Sequence, residues 1–179
     1  MHEIGGHESH AEHTDSRLVI PVSVTMSILA VLVAAATLLG HRAHTEELLL
    51  QAKASDQWSY YQAKNSRFFA SQVMVDSASI FQTKNEEKAE LTREKYAKQA
   101  ERYEGEKDQI SEEAKKLEAE RDLLKKRADH FDAGEGILEI GLIICSLTLL
   151  SNKKIFWFGG IAVGVVGTII TVIGLFSRV

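Results

Sequence analysis

The run from Ile155 to Phe176 constrains this chain most. It reads Ile-Phe-Trp-Phe-Gly-Gly-Ile-Ala-Val-Gly-Val-Val-Gly-Thr-Ile-Ile-Thr-Val-Ile-Gly-Leu-Phe and holds no charged residue. A helix of roughly 20 apolar residues crosses a hydrocarbon core about 30 Å thick. Backbone groups in lipid must be paired within the segment, so a lone span of this kind must be helical. A mean hydropathy of -0.10 and 26% charged residues hide this character, because two apolar ends are averaged with a charged middle. The net charge of -4 gives no global basic field and argues against a nucleic-acid partner. The single cysteine, Cys145, cannot form an intramolecular disulfide. One proline, Pro21, and few glycines outside the last span favour long helices over strands.

Residues 1–16 are acidic and histidine-rich, with too few apolar side chains to form a core, so disorder is expected. The spacing of His7, His10 and His13 offers a metal-capture reading beside the plainer one of a solvated tail. Residues 17–40 form the first span, an uncleaved signal anchor. Its hydroxyls at Ser23, Thr25, Ser27 and Thr37 are expected to bond back to carbonyls one turn earlier. Pro21 is expected in the first turn, where a missing donor is tolerated.

Residues 41–132 are polar and carry almost no turn signals, dividing near Thr83-Lys84-Asn85 where the apolar period lapses. Ahead of that point Leu50, Ala54, Tyr61, Phe68 and Val75 recur at helical spacing. Behind it Tyr96, Ala100, Tyr103, Ile110, Ala114, Leu117, Leu124, Ala128 and Phe131 alternate by four and three, with Lys107 and Arg121 interrupting the seam. That is a heptad pattern, the signature of a coiled coil. Both arms must return to the same membrane face, so they are expected to pair as an antiparallel hairpin. Arms of about 40 residues would reach roughly 60 Å. Trp58, Tyr61, Phe68, Tyr96, Tyr103, Leu117 and Leu124 are the expected packing residues, with Asp56 and Gln57 bonding across. A ligand site at the aromatic cluster is the alternative.

The block Lys53-Ala54-Ser55-Asp56-Gln57-Trp58-Ser59-Tyr60-Tyr61-Gln62-Ala63-Lys64 resembles the signature of the bacterial domain-of-unknown-function family numbered 4337. The stretch from Glu112 to Asp122 is similar to that family's second helix, and the order of spans matches as well. The resemblance implies a small bacterial membrane protein. It brings no assigned activity and therefore no catalytic residues.

Gly134-Glu135-Gly136 is expected to break or kink the second arm before residues 133–150 form the second span. Glu139, with Glu135 behind it, is a candidate proton or cation site, since ionisable groups at membrane depth are functional by default. The bland alternative is an interfacial carboxylate, protonated or paired with Arg127. Residues 151–154 make a tight loop to the third span, residues 155–177. Gly160, Gly164, Gly167, Thr171 and Gly174 line one face of it, a small-residue stripe suited to packing within the subunit or, the favoured use, between copies. Phe156 and Trp157 are expected to anchor one end at the headgroups. Lys153 and Lys154 pull their own side of the membrane towards the cytoplasm, whereas Arg42, Lys125, Lys126 and Arg127 pull the hairpin there. The balance tips slightly towards a cytoplasmic hairpin.

The expected fold is thus an all-α membrane protein: three transmembrane helices, with a long antiparallel coiled-coil hairpin between the first and second. A phosphate loop, a metal-ligand pair on a helix and a Ser/His/Asp grouping are all missing from the sequence, so neither an enzyme nor a cofactor is expected. The leading expectation is a homo-oligomeric scaffold or accessory subunit in the bacterial inner membrane, in contact with lipids and an unidentified protein partner. An ion- or proton-conducting element using Glu139, and a metal-handling subunit using the histidine tail, are the alternatives.

Overall fold

The computed structural model describes residues 16–80 and 86–177, with side chains from residue 18 onward. His7, His10, His13 and the expected break at 83–85 lie outside the described residues. Among those described there are three helices and no strand: α1 (Ser16–Ile80), α2 (Glu86–Ser151) and α3 (Lys154–Phe176). Each is long and apolar enough, over part of its length, to cross a membrane. Contacts divide the described residues into an apolar unit, residues 16–41 and 127–177, and a charged unit, residues 42–80 and 86–126.

Burial follows a seven-residue repeat within each helix. On α1 Val22, Leu29, Ala36 and Ala43 are buried at intervals of seven, and further on Ala54 and Phe68 are buried with the half-buried Tyr61 midway between them. On α2 the positions Tyr96, Tyr103, Ile110, Leu117, Leu124, Phe131, Leu138 and Cys145 are all buried or half-buried. A strict period of seven keeps one narrow stripe facing a partner along a slightly underwound helix.

In the apolar unit the core gathers Leu29 and Ala36 of α1 with Leu138 and Cys145 of α2, flanked by Met26, Leu32, Val33, Leu142 and Trp157. Its outer faces are equally apolar: Ile20, Val31, Leu38, Ile143 and Phe158 are each exposed by more than half. Hydroxyl back-bonds remove polar groups from those faces. Thr25 donates to the Pro21 carbonyl, Ser27 to Ser23 and Thr37 to Val33, all at 2.9–3.0 Å. Pro21 sits one turn deeper than expected, because α1 already begins at Ser16.

The charged unit places α1 and α2 side chains in contact in reversed order. Gln51 accepts from Arg121, Trp58 donates to Glu118 at 2.9 Å, and Lys64 pairs with Glu106. As residue number rises along α1, the partner's number falls along α2. Ala43, Ala54, Phe68, Ala100, Ile110, Ala114 and Leu124 are its buried apolar residues.

The expected break at Gly134-Glu135-Gly136 does not occur, and α2 runs unbroken through all three residues. Gly134 serves packing instead. A Cβ there would strike the Thr171 hydroxyl and come within 3.2 Å of the Gly167 carbonyl oxygen.

Candidate functional site

Continuing the α2 seam through Ala114, Arg121 and Ala128 brings Glu135 to the next position, within the apolar unit. It is half-buried there, and Thr37 of α1 lies 2.6 Å from its Oε1, Oγ1 to carboxyl oxygen. The same Thr37 Oγ1 is 3.0 Å from the Val33 carbonyl oxygen. Gly134, one residue earlier, packs on Thr171 of α3, so Glu135 lies near the level of Thr171. Thr171 lies five positions before the last residue of α3, Phe176, about 8 Å along a helix axis. This carboxyl therefore lies among apolar helices but near one end of them. Glu139 is exposed on the outer face of α2, away from the seam. Heptad extension singles out Glu135 over Glu139. The cross-helix partner Thr37 carried no sequence signal beyond its own i−4 bond.

The small-residue stripe of α3 is used inside the chain. Gly160, Gly164, Gly167 and Gly174 are buried and Thr171 is half-buried. A Cβ on Gly160 would strike the Cys145 thiol and come within 2.8 Å of the Gly141 carbonyl oxygen. One on Gly167 would come within 2.9 Å of Leu138, and one on Gly174 would meet His130 and Phe131 at 2.9–3.3 Å. One on Gly164 would press on Leu29 of α1. Of the two uses read for this face, packing within the subunit is the one these contacts make, against α1 and α2. Gly134, read in the sequence as part of a helix break, and Gly141 supply the answering gaps on α2. Trp157 is likewise a tie between helices, its indole N–H donating to the Thr25 hydroxyl at 3.0 Å.

In the charged unit Trp58 packs edge-on to Tyr61 at 5.6 Å, and Phe68 is buried under the Lys107 ammonium, 4.3 Å from its ring centre. Tyr96, Tyr103 and Leu117 are half-buried and Leu124 is buried. Lys64 occupies a seam position with its side chain 12% exposed. Its ammonium lies 5.3 Å from the Tyr60 ring centre and 5.5 Å from that of Tyr103. The hydrogen bond from Lys64 to Glu106 raises the lysine above its usual range and lowers the carboxylate below its own, against opposing desolvation. Asp56 lines an open groove with Lys53, Tyr60, Glu113 and Leu117. Gln57 does not bond across as expected; its buried Oε1 has no partner among the described residues. Trp58 makes that crossing instead. Among the described residues no group of three or more His, Cys, Asp or Glu could hold a metal ion.

A profile described as "Domain of unknown function (DUF4337)" matches residues 18–177. The chain belongs to this family. No curated protein and no solved structure matches it. The DUF4337 match takes in all three helices from Leu18 onward and leaves out the histidine-rich tail. Glu135, Thr37, the α3 glycines and the Trp58 cluster all fall inside the DUF4337 segment. The family description names no activity.

Proposed function

We propose that this chain is a non-enzymatic, multi-pass protein of the bacterial inner membrane that works as a homo-oligomeric scaffold or accessory subunit. The apolar stretches of α1, α2 and α3 are its three spans, and the charged stretches of α1 and α2 pair as an antiparallel coiled-coil hairpin on the cytoplasmic side. The hairpin presents a helical surface to a protein partner. The observation that carries this reading is the seven-residue burial repeat, which both long helices keep through apolar and charged sequence alike. Side-chain crossings that run in opposite order on α1 and α2 support the pairing. Large apolar side chains turned outward on all three helices support insertion, since water would oppose such a surface and lipid does not.

With the α3 stripe occupied, the face left for a second copy is on α1. Ser23, Ser27, Ala30 and Ala34 are exposed at intervals of four, three and four, which makes a shallow strip where another helix can come close. The test is disulfide trapping in native membranes with Ala30→Cys in a Cys145→Ala background. A cross-linked dimer is the expected product. A monomer at every oxidant level, together with a single-copy mass in lipid, would end the oligomer reading.

A further inference from the structure

We propose that Glu135 and Thr37 form a proton-binding site between α1 and α2, in which one hydroxyl satisfies the carboxyl group in both of its protonation states. The inference needs no second copy and stands apart from the scaffold reading.

It begins with the valence of a threonine hydroxyl, which has one proton to donate and lone pairs to accept. Thr37 Oγ1 faces two oxygens that both attract a proton: the Val33 carbonyl at 3.0 Å and Glu135 Oε1 at 2.6 Å. One proton cannot serve both well. With Glu135 ionised, the hydroxyl donates to the carboxylate; 2.6 Å is in the range of a charge-assisted O–H···O⁻ bond. The Val33 carbonyl then keeps its place in the backbone ladder of α1. With Glu135 protonated, the acid O–H donates to Thr37 Oγ1 and the hydroxyl turns to the Val33 carbonyl. Uptake adds one proton to the carboxylate and rotates one hydroxyl. No bond between heavy atoms breaks, and the same three oxygens are paired before and after. An aliphatic residue in place of Thr37 would leave the carboxyl group without this partner in both states, a costly condition among apolar helices.

The chemistry favours a proton over a metal ion. Calcium takes six to eight oxygens and magnesium a near-octahedral six. Here one carboxyl and one hydroxyl converge, and no metal-binding group of three occurs among the described residues. Few charged groups surround the pair. On α1 the next titratable residue is His41, one turn past Thr37. On α2 Asp132 lies against Gly40, Arg127 stacks over Phe131 and Glu139 faces outward. His130, also on α2, lies beside Gly174 of α3. From Ile155 to Phe176 α3 carries no titratable side chain. The site's nearness to one end of α3 gives a proton a short route from water on that side.

The test is infrared difference spectroscopy of the full chain in lipid across a pH titration, following the protonated-carboxyl stretch. Wild type is expected to show a hydrogen-bonded acid band that Glu135→Gln removes. Thr37→Val should move the band to higher frequency, and Thr37→Ser should restore it. The same band in Glu135→Gln as in wild type would overturn the proposal. So would a band in Thr37→Val unmoved from its wild-type position. If Glu135→Gln failed to fold, the Thr37 pair alone would decide.

Discussion

The two units bring their helices together with opposite materials. In the apolar unit the close positions are glycines: Gly134 and Gly141 of α2 meet Gly160, Gly164 and Gly167 of α3 nearly backbone to backbone. In the charged unit the stripe is Phe68, Ile110 and Leu124, with Lys64 and Lys107 laid over aromatic rings. On the proposed insertion of the apolar unit in lipid, solvent accounts for the difference. Lipid gives apolar side chains no reason to leave it, so helices there associate by close packing and hydrogen bonds, as in the Trp157–Thr25 and Thr37–Glu135 pairs. Water drives large apolar side chains together without demanding so close an approach. The contrast is sharpest in the glycines themselves. A Cβ on Gly105, in the charged unit, would meet nothing within 4 Å.

Substitutions can break this comparison, and the largest expected effect is in the apolar unit. Gly160→Leu drives a side chain into Cys145 and the α2 backbone, which cannot rotate away. Overpacking costs about 1–3 kcal/mol where side chains can shift, and more is expected here. Thermal unfolding in a mild detergent checks it; an unchanged midpoint would mean that α3 does not press on α2. Next comes Phe68→Ala, which empties the widest part of the charged stripe and should cost about 3–5 kcal/mol in denaturant unfolding. A loss under 1 kcal/mol would show the charged unit held mainly by its ion pairs.

The pH dependence expected within the charged unit is smaller. The Glu106 carboxyl is lowered by its bond from Lys64, so its contribution is present above the ordinary carboxylate range and is lost as pH falls through the lowered value. Lys64 is raised, so its contribution holds below the ordinary lysine range and fades as pH rises through the raised value. Melting of wild type against Lys64→Met should differ at neutral pH and converge at both extremes. Curves that stay parallel throughout would exclude this linkage. The smallest effect is a gain: Gly105→Ala should stabilise by about 0.5–1 kcal/mol, because an open helical glycine costs only its backbone entropy. The same substitution at Gly160 should destabilise.

Most of the helical architecture was legible, because period and apolar length are local properties of sequence. The seam from Tyr96 to Phe131 reads directly, and the next step of four points to Glu135. Which neighbour a stripe meets was not legible. The spacing of Gly160, Gly164 and Gly167 suits a partner copy as well as it suits α2, and the intrachain partner emerges only with Gly134 and Gly141 in place. The Gly134-Glu135-Gly136 cluster misleads for the same reason, since a glycine that admits a neighbouring helix looks in sequence like one that ends its own. Thr37 was masked by its ordinary back-bond to Val33.

The most direct test of the antiparallel pairing is a pair of spin labels at Ser55→Cys and Glu120→Cys in a Cys145→Ala background, diluted with unlabelled chain in lipid. Paired helix axes lie about 8–10 Å apart, so a short distance that survives dilution is expected. A separation approaching the roughly 100 Å that 65 helical residues would span end to end, or a short distance that vanishes on dilution, would contradict it.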